Sequence, residues 1–125
     1  AVTGTSALLG RVNGSAIEEL VLLDISRSPL PSPPPGPWYY EVGGGVSGLA
    51  MDPTECYAFL ASDFSSEELQ VVRIQDHALP EVSYYDAATG AGRGLLYESI
   101  RDRVFLLTNR SVHIFKPGAP PSGCP

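Results

Sequence analysis

The sequence predicts an all-β fold built from a unit of about 45 residues that recurs along the chain, each unit made of four short strands. Three observations carry that expectation. The first is a pattern written twice, EELVLLDI at 18–25 and EELQVVRI at 67–74, offset by 67 − 18 = 49 residues. A third copy, SVHIFKPG, sets Val112, Ile114 and Phe115 on Leu69, Val71 and Val72. The second is that the flanks recur as well. WYYEV (38–42) matches SYYDA (83–87) at an offset of 45, and GLAMDPTECYAFLAS (48–62) matches GLLYESIRDRVFLLT (94–108) without a gap at an offset of 46. The third is local: the matching stretches are short, rich in Val, Leu, Ile, Tyr and Phe, and punctuated by Gly, Pro, Asp, Ser or Asn.

Taken from the inside of a unit outward, the first strand is VSGLAM (46–51) and RGLLYE (93–98). The second is ALLGRV (7–12), CYAFLAS (56–62) and RVFLLT (103–108), the third is the duplicated motif with its later copy, and the fourth is WYYEV and VSYYDA. This counts ten strands in approximate units 1–42, 43–87 and 88–118, followed by a Pro/Gly-rich tail at 119–125. Ser15 and Glu18, like Ser65 and Glu68, have the spacing of a helix capping box. The residues that follow are β-rich, are closed off by Pro29 or Pro80, and give no i, i+3, i+4 stripe, so strands are expected there. The paired glutamates then stand at the solvated entrance of the strand, with Leu, Val and Ile packing between sheets.

The length of 125 residues suits one domain with a real core, and 43% hydrophobic against 18% charged residues marks a globular chain. The formal charge is −6, with Lys116 the single lysine among eight basic residues, which argues against nucleic acid and anionic membranes as partners. No apolar run approaches the roughly 20 residues of a membrane-spanning helix. The start, Ala1-Val2-Thr3, reads as a processed end or the edge of an excised segment. Cys56 and Cys124 have no metal-ligand spacing; Cys56 reads as a buried free cysteine, with a bridge to Cys124 as the alternative. Asn13-Gly-Ser15 and Asn109-Arg-Ser111 are glycosylation triplets, which would suit a secreted, periplasmic or extracellular chain.

With the strands laid out, GGVSGLAMDPTECYAFLASDFSSEELQVVRI (44–74) resembles the units of NHL and YVTN-type β-propellers, and LVLLDIS (20–26) resembles the LVIVD-type strand of related repeats. Those units share a Gly-containing inner strand, an Asp/Ser-Pro-Asp-Gly turn and an aromatic-rich second strand. Here the turn is Asp52-Pro53-Thr54-Glu55, which keeps Asp-Pro but lacks the glycine, and Glu98-Ser99-Ile100-Arg101 departs further. The resemblance implies a β-propeller-like fold of four-stranded antiparallel blades, here an incomplete ring of about 2.5–3 blades. A lone blade cannot cover its own faces, so the remaining blades would come from a parent chain or from other subunits.

By the same resemblance, ligands would meet the connections at one end of the sheets, which carry Glu41, Asp63, Phe64, Asp86, Arg93, Asn109 and Arg110. The function this implies is a non-enzymatic binding or scaffold segment for a protein or carbohydrate partner, with no catalytic residues and no cofactor. A metal-dependent lactonase-like or gluconolactonase-like hydrolase is the alternative. It would need Asp63, Asp86 and Asn109 to converge on a cation such as Ca²⁺. A sema-type extracellular interaction domain is a second alternative, although its wealth of cysteines is missing.

Other features read as architecture. SPLPSPPPGPW (28–38) is a stiff third-to-fourth-strand connection, with a PxxP ligand as the alternative reading. Trp38, Tyr39, Tyr40, Tyr84 and Tyr85 read as packing between sheets rather than a platform for ligands. His77 and His113 have no partners at ligand spacing. Gly43, Gly44 and Gly45 precede a strand, not a helix, so they provide a tight descent and no phosphate cradle. Asp52 and Glu98 fall in equivalent turns, where a carboxylate bonds nearby backbone N–H groups.

Overall fold

The computed structural model describes residues 2–3, 6–12, 19–25, 38–52, 56–64, 66–74, 81–88 and 90–117. Asn13, Glu18, the Pro-rich connection at 28–37, His77 and Cys124 lie outside the described residues. Among the described residues there are eleven strands and no helix, so the all-β expectation holds.

The strands form three antiparallel sheets, each a simple meander in chain order. The first holds β1 (Val2–Thr3), β2 (Ser6–Gly10), β3 (Leu20–Asp24) and β4 (Trp38–Tyr40). The second holds β5 (Val46–Met51), β6 (Tyr57–Ser62), β7 (Leu69–Arg73) and β8 (Glu81–Tyr85). The third holds β9 (Gly92–Glu98), β10 (Arg103–Thr108) and β11 (Val112–Phe115). The sequence count of ten strands omits β1, whose two residues are too few to leave an alternating pattern. The strand read at 7–12 is β2, which runs Ser6–Gly10; beyond it Arg11 N–H donates to Glu19 O, just before β3 of the same sheet, at 2.8 Å, and Arg11 O accepts the Val46 N–H of the second sheet at 2.7 Å.

Period-two alternation sorts the core into two layers. Leu8, Leu20 and Leu22 of the first sheet pack against Ala58, Leu60 and Val72 of the second, with Val42, Val46 and Met51 closing that layer. The opposite face of the second sheet sets Phe59, Ala61 and Leu69 against Val104 and Leu106 of the third. The middle sheet is therefore covered on both sides, which is why β6 reads as an apolar run and is buried from Ala58 to Ser62. Full burial of Leu60 and Leu106, each 0% exposed, contributes about 1.5–3 kcal/mol apiece.

Two expectations are corrected. Glu19 and Glu68 do not stand in solvent; both are buried, at 0% and 4% exposure. Their carboxylates face backbone N–H groups of the connection that follows the fourth strand, an arrangement that takes them into the core instead of out to water. Cys56 is not free: it is 1% exposed and disulfide-bonded, and the described residues contain no free cysteine.

Candidate functional site

Because consecutive strands run antiparallel, the β4–β5, β6–β7, β8–β9 and β10–β11 connections all emerge at one end of the sheets. This end carries Glu41, Asp63, Phe64, Asp86, Asn109 and Arg110, with Arg93 at the start of β9. Its floor is built by the duplicated glutamates. Val42 N–H donates to Glu19 Oε2 at 2.9 Å, and Ala87 N–H donates to Glu68 Oε2 at 2.9 Å. Each bond anchors the connection leaving a fourth strand to the entrance of the third strand of its own sheet. The second sheet adds a further hold on the first connection, since Gln70 Nε2 donates to Val42 O at 2.9 Å. Glu19 Oε1 and Gln70 Oε1 are buried acceptors with no hydrogen-bond partner.

The loop side chains gather into two small groups above this floor. In the first, Asp63 Oδ1 accepts the Gly45 N–H at 2.6 Å, and Asp63 N–H donates to Gly45 O at 3.2 Å. Gly43 adopts φ +89°, a conformation that favours glycine, and the Phe64 ring lies over the space a Cβ would take. The glycine triplet thus makes the tight descent expected of it. Glu41 Oε1 accepts the Gly43 N–H at 3.2 Å. In the second group, Arg93 Nε donates to Asn109 Oδ1 at 2.6 Å, while Thr108 N–H donates to Ser111 O at 2.9 Å to close the hairpin carrying Asn109 and Arg110. Asp86 Oδ1 accepts the Ala88 N–H at 2.9 Å and stays within its own turn.

The arrangement therefore shares one end but not one point. Asp63, Asp86 and Asn109 each hold a different partner, Gly45, Ala88 and Arg93. Among the described residues no three His, Cys, Asp or Glu side chains form a group able to hold a metal ion. His113 Nε2 lies 2.8 Å from Ser111 Oγ, and its ring centroid is 5.8 Å from that of Tyr85.

The opposite end of the sheets is held by the turn carboxylates. Asp52 Oδ1 accepts the N–H groups of Cys56 and Tyr57 at 2.8 and 2.9 Å. Glu98 accepts those of Ile100 and Arg101 at 2.8 and 3.0 Å, so both acids bond the backbone as expected. Tyr97 Oη donates to Asp102 Oδ1 at 2.7 Å; burial, reinforced by that carboxylate, pushes the phenol up to about 12.

The aromatic residues divide. Tyr40 packs into the first core layer, and Tyr85 meets Phe115 edge-on at a centroid distance of 4.7 Å. Tyr39 and Tyr84 are 50% and 57% exposed, so packing between sheets does not account for them.

Sequence reasoning missed one surface. The face of the third sheet turned away from the second carries Leu96, Leu107, Val112 and Ile114, which are 61%, 48%, 59% and 63% exposed. The signal was in the alignment. Leu107 and Val112 match Ala61 and Leu69, which are buried against the third sheet, and Ile114 matches Val71, which packs at the edge of that layer.

No protein-family model matches the chain, and neither curated proteins nor solved structures give a significant match. No helix among the described residues is long and apolar enough to cross a membrane.

Proposed function

We propose that the chain is a non-enzymatic binding or scaffold segment of a β-propeller-like assembly, its sheets acting as a rigid frame for loops that hold a protein or carbohydrate partner. The observation that carries this reading is the apolar outer face of the third sheet. Phe105, Leu107, Val112 and Ile114 occupy the positions of Phe59, Ala61, Leu69 and Val71, with which the second sheet holds the third. An open apolar face of this kind calls for another sheet to cover it. The covering sheet comes from further units or from another subunit.

The bonded Cys56 supports an oxidising compartment, hence a secreted, periplasmic or extracellular setting. The hydrolase reading draws less support, because Asp63, Asp86 and Asn109 would first have to leave their present partners.

The test is light scattering on the purified chain across a concentration series. Concentration-dependent association that Leu107→Glu abolishes, with the fold retained, is the expected result. A monomer at every concentration whose stability and state do not respond to Leu107→Glu would sink the proposal.

A further inference from the structure

We propose that the outer edge of β11 and the groove beside it form a docking site for an extended peptide strand of a partner. The strand runs antiparallel to β11, with an aromatic side chain opposite His113 and an acidic one beside Lys116.

The first observation is an asymmetry of strand number. Among the described residues the first two sheets each have four strands and the third has three, with β11 outermost and no strand along its outer edge. Thr108 N–H bonds Ser111 O, so hydrogen-bonded pairs with β10 continue at Leu106–His113 and Val104–Phe115. The backbone N–H and C=O groups of Val112 and Ile114 consequently point outward. An edge of this kind is a template for strand addition.

The second observation is independent of the first. A groove of about 470 Å³ opens beside this edge, between the second and third sheets. Tyr57, Phe59, Val71 and Tyr85 form one wall, and Phe115 and Lys116 belong to the other. A residue opposite His113 on an added strand faces the same side as His113 and Phe115, which is the groove side.

The chemistry of the occupant follows from the strands that fill the corresponding place elsewhere. Tyr39 stands opposite Val21 and Tyr84 opposite Gln70, the positions that align with His113. Past a register shift between Val71 and Val72, Glu81 stands opposite Val72, which aligns with Phe115; Lys116, the next residue along and part of the groove lining, is the cation beside an acid at that register. The favoured ligand thus presents an acid three residues before a pair of aromatics, in extended conformation. The sequence EVSYYDA of residues 81–87 has that pattern and serves as the probe.

The experiment titrates the capped synthetic peptide EVSYYDA into the intact chain, following binding by NMR and backbone protection by amide exchange. Saturable binding with slowed exchange at Val112 and Ile114 is expected. N-methylation of the peptide at the serine or second tyrosine, whose N–H groups face β11, should weaken binding at least tenfold. N-methylation at the first tyrosine, whose N–H faces away, should not. Ile114→Pro, which removes an outward N–H and no bond to β10, and Ser83→Trp, which fills the groove, should each weaken it similarly. Leu107→Glu, which tests the apolar outer face, should leave peptide binding intact, so the two proposals fail separately. Equal binding of the two kinds of N-methylated peptide, no saturation up to ~1 mM, or pairing of two chains through β11 that the peptide does not displace would each overturn the assignment.

Discussion

Glu68 accepts the backbone N–H of Ala87, nineteen residues further along, at 2.9 Å, and both residues are buried. Glu19 repeats the relationship with Val42 at the same distance. A carboxylate in this position serves the backbone: it satisfies a donor that the departing chain cannot pair with a neighbouring strand, and it fixes where the loop end of the sheet begins. Replacement by alanine strands that donor in the core. Glu68→Ala should therefore cost ~1–3 kcal/mol. Glu68→Gln, which keeps an acceptor oxygen, should cost less. Urea unfolding midpoints for the two variants, with unchanged slopes, check the order.

Gly92 is one of the places where the third sheet comes close to the second. A Cβ there would lie 2.7 Å from Ser62 O and 2.9 Å from both Glu68 O and Ser62 N, all backbone atoms that cannot rotate away. Gly92→Ala should destabilise the chain by ~1–3 kcal/mol through overpacking. Two residues on, a Cβ at Gly94 would meet only the Leu107 side chain, at 3.9 Å, an ordinary contact. Gly94→Ala should be neutral or stabilising by up to ~1 kcal/mol. Thermal unfolding of the two single variants distinguishes them, and loss of stability in both would contradict the packing described.

Adjacent residues on β10 provide a test of which face is covered. Leu106 is 0% exposed in the layer between the second and third sheets, whereas Leu107 is 48% exposed on the outer face. Leu106→Ala should cost ~2–5 kcal/mol. Leu107→Ala should change the stability of the monomer by no more than ~0.5 kcal/mol. Comparable losses measured at low protein concentration, where association is suppressed, would show the outer face to be covered.

These contrasts also show which features the sequence could reveal. The strands from β5 to β11 were legible because burial on a pleated sheet leaves a two-residue period and because aligned stretches reinforced one another. Leu60 and Phe59, one on each face, write that pattern directly. The burial of Glu19 and Glu68 was not legible, since their partners are the backbone N–H groups of Val42 and Ala87, which any non-proline residue carries. The same reason hides the roles of Asp63 and Asp86: an acid in a loop looks identical whether it faces a ligand or the N–H of Gly45 or Ala88. The bonded state of Cys56 was obscured differently, because an apolar strand suits a free thiol and a buried bridge equally well.

Tyr97 gives the fold a marker at alkaline pH. Its ring stacks on Phe59 at a centroid distance of 5.5 Å, and its hydroxyl donates to Asp102 Oδ1. Burial disfavours the phenolate, and the nearby Asp102 charge disfavours it further, so the phenol is raised from an ordinary 10.0 to about 12. In the unfolded chain the same phenol ionises near its ordinary value. A group whose folded pKa lies above its unfolded one stabilises the fold fully at pH below 10 and loses that contribution as pH rises toward 12. Stability should therefore fall across that window, and Tyr97→Phe, which cannot ionise, should flatten the fall. Absorbance titration near 295 nm should show a late tyrosine ionisation in the wild type. That late step should be missing in Tyr97→Phe and shifted down in Asp102→Ala. A late step that survives Tyr97→Phe would assign the raised phenol to another residue.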